Sequence, residues 1–278
     1  MPKIRDHLLN RGPATTVPTA PPRVAPGVHR LTVGAGPGRT NVYFASSGAT
    51  WALIDTGWPG DAAAIRRAAE GLFGPDSRPS AILLTHSHPD HAGSARELSR
   101  AWACPVYVHP DELALAGNDI TVVRAFAHPL DRWVILPLLG LLPRRRRQAI
   151  LEQSSMRHIV RPLVPGDVLP GLPDWEAVPC PGHTPGHAAY FRRRDGILLS
   201  GDALVTVNLN SPIGLLLGRP HLSGPPWYTT WNRQLARESV AALKALRPRV
   251  IAGGHGGPFV ARRTASRSPV QAARAGVR

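Results

Sequence analysis

The segment Thr85-His86-Ser87-His88-Pro89-Asp90-His91 places three histidines and one aspartate directly behind the apolar run Ala81-Ile82-Leu83-Leu84. A solvated turn needs no such cluster, and a core would exclude it. Neutral imidazoles with a carboxylate and no thiolate are donors suited to zinc, and also to iron or manganese. His86 and His88 alternate at extended spacing, whereas Asp90 and His91 turn away and can serve a neighbouring ion. Three more donors follow: His183 in Pro-Gly-His-Thr-Pro-Gly-His, Asp202 in Ser-Gly-Asp, and His255 in Gly-Gly-His-Gly-Gly. Each lies behind a predicted strand, so all can gather at one rim of a sheet. Glycines at 182, 186, 201, 253, 254 and 256 let the main chain come close to such a centre. A single His-X-His is weak, since surface histidines often come in pairs, but the joint pattern reads as a metal site.

The elements that must position these donors are legible as alternation and punctuation. From about residue 27, the stretches HRLTVGAG, NVYFASS and TWALID alternate or run apolar between glycine-containing turns, as consecutive strands do. Asp61 is placed to cap a helix through Phe73, with Ile65, Ala68, Ala69, Leu72 and Phe73 on one face and Gly74 as the stop. SAILLTH then reads as a buried strand, residues 92–103 as a helix, and PVYVHP as another strand. Residues 111–165 yield only helical fragments, an apolar run to Leu142 and the block Arg144–Arg147. DWEAVPCPG and a hairpin turning at Asp195-Gly196 come next, then a loop-like stretch 204–227, a helix with Trp231, Leu235, Ala242, Leu243 and Leu246 on one face, and a last strand at PRVIAGGHG. Strand–helix alternation of this kind predicts an α/β fold. The expected organisation is one domain over 27–260, with disordered tails at 1–26 and 261–278.

Composition narrows the function classes. The formal charge is +15, but residues 1–26 carry a net +3 and residues 261–278 a net +5, so over half of it sits in the tails. That placement weakens a nucleic-acid partner, which calls for basic residues on one folded face. Two cysteines, Cys104 and Cys180, form neither a disulfide framework nor a CxxC pair, and read as buried thiols of a reducing cytosol. The proline-broken N-terminus does not read as a secretory signal, and the apolar run Trp133–Leu142 is too short to cross a bilayer.

Taken in order, THSHPDHAG, PGHTPGH, SGD and GGHGG resemble the metallo-β-lactamase superfamily over roughly residues 27–260. The resemblance implies a four-layer αββα sandwich of two mixed sheets flanked by helices. It implies His86, His88 and His183 on one metal, Asp90, His91 and His255 on a second, and Asp202 bridging both. LIDTG matches a further family motif, which makes Asp55 the acceptor of a hydrogen bond from a ligand histidine. The implied enzyme is a hydrolase with two divalent ions, zinc first and iron or manganese as alternatives. A metal-bridging hydroxide would attack an ester, thioester, lactone or lactam carbonyl, and Asp90 would receive the proton.

Substrate is less legible. PGHTPGH resembles the thioester hydrolases of the glyoxalase II type, but no C-terminal helical domain with glutathione-binding positions is evident. The lactonase branch places a tyrosine soon after the bridging aspartate, where this chain has Ala203-Leu204-Val205 and only the distant Tyr228. The alternatives are a phosphodiesterase or nuclease acting on nucleic acid, and a mononuclear iron persulfide dioxygenase. Trp133–Leu142 and Ile213–Leu217 read as a lid over a substrate with an apolar group, as ordinary helix packing, or as a shallow membrane contact beside Arg144–Arg147. His7, His29, His109, His128, His158 and His221 lack ligand spacing, and His187 reads as a hydrogen-bonding residue.

Overall fold

Alternation along the strands sorts side chains into three separate cores. The computed structural model of the chain describes residues 20–211, 214 and 220–261. Seven strands make the first sheet in sequential order: β1 (Arg23–Ala25), β2 (Val28–Val33), β3 (Thr40–Ser47), β4 (Thr50–Ile54), β5 (Ala81–Leu83), β6 (Val106–Val108) and β7 (Val160–Pro162). Its first four strands pair antiparallel and its last four parallel. The remaining strands are β8 (Glu176–Pro179), β9 (Ala188–Arg192), β10 (Ile197–Gly201), β11 (Val205–Val207), β12 (Pro220–Ser223), β13 (Val250–Gly253) and β14 (Phe259–Val260). Five of them form the second sheet in the order β14-β13-β10-β9-β8, and β11 pairs with β12 as a separate ribbon.

Along β3, β4 and β5, the side chains of Val42, Phe44, Leu53 and Ile82 face outward. There they meet helices α1 (Ala62–Phe73), α2 (Pro89–Ala92) and α3 (Ala95–Trp102) through Ile65, Ala69, Ala92, Leu98 and Trp102. The intervening Tyr43, Ala52, Ile54 and Leu83 face inward and pack on Tyr190, Ile197, Leu199 and Ala252 of the second sheet. On the far side of that sheet, Leu198 and Ile251 meet Leu243 of the last helix. Residues of period two therefore serve alternate cores, and the layers run helix, sheet, sheet, helix. Each large side chain buried in this way contributes about 1.5–3 kcal/mol.

Between β6 and β7 the chain forms α4 (Leu113–Ala116), α5 (Ile120–Ala125), a π-helical turn at Asp131–Ile135, α6 (Leu136–Leu141) and α7 (Arg144–Ser154). The π turn sits just before Pro137, which has no N–H to continue a regular ladder. The last helix, α8 (Arg233–Ala245), opens on Asn232, whose side chain accepts from the backbone N–H of Gln234 and Leu235.

Several expectations need correction. β1 lies inside the stretch expected to be a tail and pairs with β2, so ordered structure starts ahead of residue 27. Stretch 204–227, expected as loop, contains β11 and β12. The helix expected over 92–103 starts at Ala95 instead, because Ser94 leaves the helical region at φ −100° and ψ 4° and separates α3 from the short α2. Asp61 precedes α1 but does not cap it; its carboxylate turns back and accepts from the N–H of Trp58 at 2.8 Å. Of Ile213–Leu217, all but Gly214 lies outside the described residues, as do the C-terminal tail beyond residue 261 and His7.

The β9–β10 hairpin turns at Asp195-Gly196, with Gly196 at φ 69°. Arg192, at its entrance, is fully buried. Its guanidinium makes two 2.9 Å bonds to Asp195, donates to the carbonyl of Pro26 at 2.6 Å, and lies 4.9 Å from the centre of the Trp175 ring.

Candidate metal centre

Four loops leave strand ends and bring the predicted donors to one place. The loop after β5 carries His86 and His88, and α2 carries Asp90 and His91. His183 lies between β8 and β9, Asp202 follows β10, and His255 follows β13. The donor atoms of His86, His88 and His183 lie within 4.8 Å of one another. Those of Asp90, His91 and His255 are equally close, and so are those of His86, His91 and Asp202.

Asp202 sits between the two outer sets with one oxygen toward each. Its Oδ2 is 3.5 Å from His183 Nε2, and its Oδ1 is 3.3 Å from His91 Nε2 and 3.5 Å from His255 Nε2. Asp90 Oδ2 stands 3.5 Å from His91 Nε2 and 3.4 Å from His255 Nε2. Asp90 is also the more open of the two carboxylates, with its side chain 18% exposed against 5% for Asp202.

The ring nitrogens facing away from the centre are engaged from outside. His91 Nδ1 is 2.8 Å from Asp55 Oδ2, His255 Nδ1 donates to the carbonyl of Arg39 at 2.8 Å, and His86 Nδ1 is 3.0 Å from Thr85 Oγ1. His183 Nδ1 reaches Thr230 Oγ1 at 3.5 Å. When each outer nitrogen carries the proton, each Nε2 presents a lone pair inward. Asp55 also accepts from Thr85 N and Thr85 Oγ1, and it holds a left-handed backbone at φ 59° that short polar residues tolerate.

A metal fits these donors on three counts. His86 Nε2, His91 Nε2 and Asp202 Oδ1 are buried with no well-formed hydrogen bond, an unfavourable state for polar atoms unless an ion meets them. His88 Nδ1 and His183 Nε2 converge to 3.1 Å. The main chain of Gly254 is also so close that a Cβ there would lie 2.4 Å from Asp202 Oδ1. The two sets differ electrostatically. Burial and mutual histidine repulsion hold His86 and His183 well below the ordinary imidazole range, and burial with His128 brings His88 to about 4. On the other side, burial opposes charge on His91, but Asp90, Asp202 and Asp55 outweigh it and raise the pKa well above the usual value. His255, likewise against burial, is raised to about 10 by Asp202 and Asp90.

His187 stays outside the donor sets. Its Nε2 accepts from Asp202 N at 3.1 Å, and its Nδ1 lies 3.1 Å from the sulfur of buried Cys180. Two residues that the sequence reading passed over, and one that it named only as distant, belong to the surroundings. Glu112, fully buried, accepts from Ser87 N at 3.0 Å and Ser87 Oγ at 2.6 Å on one oxygen, and from Gly186 N at 3.0 Å on the other. It thereby ties the His86/His88 loop to the His183 loop. His128, set aside for lack of spacing, has its ring centre 5.2 Å from that of His88 and its Nε2 3.1 Å from Asp131 Oδ2. Half-buried Tyr228, remote from Asp202 in sequence, lies near enough that Asp202 and Asp90 add to burial in raising its phenol pKa. No local pattern marks Glu112 or His128, because their partners come from other segments.

This sandwich, with its donors on loops at one sheet rim, defines a metal-dependent hydrolase of a known kind. A model of the metallo-β-lactamase superfamily matches residues 35–255, and the chain belongs to that superfamily as a metallo-hydrolase. It is 35% identical over 240 residues to "Probable metallo-hydrolase YflN" of Bacillus subtilis (strain 168), covering 84% of this chain and 86% of that one. It is 28% identical over 159 residues to a hydroxyacylglutathione hydrolase of Halorhodospira halophila (strain DSM 244 / SL1), covering 57% of this chain and 44% of that protein. The structure of TTHA1623 in a di-iron-bound form shares the fold, with a TM-score of 0.51 and 26% identity over 83% of this chain and 94% of that one. Among the described residues, no helix is long and apolar enough to cross a membrane.

Proposed function

We propose that the chain hydrolyses a carbonyl substrate (an ester, thioester, lactone or lactam) with two divalent ions, zinc first and iron or manganese as alternatives. The observation that carries this reading is the Asp202 carboxylate, which turns one oxygen to His183 and the other to His91 and His255. His86, His88 and His183 would hold one ion, Asp90, His91 and His255 the other, and Asp202 would touch both. A pair of such ions, when bound, supplies hydroxide at neutral pH and polarises a carbonyl.

The chain's own residues do the rest. Asp55, Arg39, Thr85 and Thr230 fix the imidazole orientations from outside, so the donor set is arranged before substrate arrives. Asp90 receives the proton and passes it on. It is the more accessible carboxylate, and although burial raises its pKa, His91 and His255 bring it below the ordinary aspartate value.

The thioester option draws support from the hydroxyacylglutathione hydrolase, of which this chain spans less than half, and the iron option from the di-iron neighbour. A small-molecule substrate is supported by the hydroxyacylglutathione hydrolase relative. A reducing cytosol is supported by the free, buried Cys104 and Cys180. The test is bound metal per chain, followed by a screen of esters, thioesters, lactones, β-lactams and phosphodiesters with the wild type and Asp90→Ala. We expect two ions, carbonyl turnover, and loss of that turnover in the variant. Activity on phosphodiesters alone, or a single iron that oxidises persulfides, would overturn the reading.

A further inference from the structure

Between His128 and Ser154 the chain forms two consecutive helical arms with an unusual surface. Its first arm, Asp131–Leu141, leaves Trp133 75%, Leu138 57% and Leu141 83% exposed, with Val134 and Ile135 also open to solvent. Val134, Leu138 and Leu141 follow helical spacing, so they form one stripe, with Trp133 beside it. Water-soluble surfaces scatter such side chains singly; a contiguous stripe ending in a tryptophan marks a contact surface. The second arm starts three residues beyond Leu141 with Arg144-Arg145-Arg146-Arg147. From Arg132 through Leu151 the chain carries five arginines and no acid. Among the described residues, the arginine ion pairs belong to Arg192, Arg193 and Arg194, so this block keeps its charge for an external partner.

We propose that this pair of helical arms, residues 131–154, docks the enzyme onto an anionic lipid surface. Apolar side chains with a tryptophan beside a block of cations match the two layers of a bilayer interface, acyl boundary below and acidic headgroups above. An acidic protein would match the arginines but leaves the Trp133–Leu141 stripe without a reason. A second copy of this chain would bring one arginine block against another across a two-fold axis. The contact is shallow, since no described helix can span. It leaves the reaction itself untouched and does not depend on which carbonyl is cut. The first arm follows directly on His128, whose ring packs on His88 of the metal centre, so docking would set the site close to the headgroups.

The experiment is flotation of the metal-loaded full chain with phosphatidylcholine vesicles and with vesicles of equal parts phosphatidylcholine and phosphatidylglycerol. Binding at least about tenfold tighter to the anionic vesicles, lost at high salt, is expected. Arg144→Gln/Arg145→Gln/Arg146→Gln should remove that preference. Trp133→Ser/Leu141→Ser should weaken binding at low salt as well, while both variants keep the wild-type melting temperature. The arginine-rich segments 1–26 and 261–278 remain in every variant, so equal vesicle binding by wild type and both variants would assign the affinity elsewhere and overturn the proposal. A wild-type dimer made monomeric by Trp133→Ser/Leu141→Ser, with no vesicle binding, would overturn it in favour of self-association.

Discussion

Gly254→Ala tests the architecture of the metal centre with a single methyl group. Gly254 does not occupy a left-handed conformation, so alanine meets no backbone objection there. The new Cβ would nevertheless lie 2.4 Å from Asp202 Oδ1 and 2.5 Å from His91 Cε1, about an ångström inside comfortable van der Waals contact. The main chain cannot withdraw: Gly254 N donates to Gly201 O at 2.8 Å, and Gly254 O accepts from Asn41 N at 2.8 Å. The side chains are pinned too, since Asp55 holds His91 and His187 holds the backbone N–H of Asp202. Overpacking of this kind costs about 1–3 kcal/mol. Directed against His91 and the Asp202 oxygen that faces it, it should weaken the Asp90/His91/His255 ion by roughly five- to 150-fold. Metal content after dialysis against buffered zinc should fall toward one ion per chain, with carbonyl turnover falling alongside. Gly257→Ala is the control, because its Cβ would meet only Arg30 Nη1 at 3.6 Å. Wild-type occupancy and activity in Gly254→Ala would refute the placement of His91 and Asp202 as donors.

Other outcomes follow from the same geometry. Glu112→Gln must aim its amide NH2 at either Gly186 N or Ser87, leaving a buried donor unmet at about 1–3 kcal/mol; a melting temperature and zinc affinity equal to wild type would remove Glu112 from its positioning role. In the metal-free protein the neighbouring carboxylates favour a proton on His91 and His255, whereas burial disfavours one on His86, His88 and His183. Loading the first set should therefore release almost no protons above about pH 5, and loading the second should release them and tighten as pH rises toward about 10. Calorimetry in buffers of different ionisation enthalpy reads this directly, and loading of both ions at pH 7 without proton release would contradict it. Burial pushes the Cys104 thiol up to about 11 and raises Cys180 further, so neither should label with a thiol reagent at pH 8 until the chain is unfolded. Rapid labelling of the native protein would show that one of them is open.

What could be read from sequence was what local order encodes. Period two in β3 to β5 announces two-sided burial, and a donor cluster behind an apolar run is visible within ten residues. Asp55 was legible only through the resemblance of Leu-Ile-Asp-Thr-Gly to a family motif. The rest depends on partners distant in sequence. Glu112 looks like any acid after a strand, and only the fold supplies Ser87 and Gly186. His128 carries no spacing signal, since its neighbour His88 is forty residues away. β1 and β11 are three-residue strands whose identity comes from pairing rather than from pattern. Asp61 fits a capping rule, but Trp58 offered its carboxylate a nearer donor.

Arg192 bears on how the sandwich comes apart. Its guanidinium gathers the turn ahead of β2, the hairpin loop at Asp195 and the indole of Trp175, three stretches that otherwise meet only at a seam. Separating the turn or the indole takes a partner from a buried cation that Asp195 alone then holds, so piecemeal fraying there is unfavourable. The edge of the first sheet, where chains commonly begin to unravel, is thereby enrolled in the same cooperative unit as the hairpin that carries Asp202 at its end.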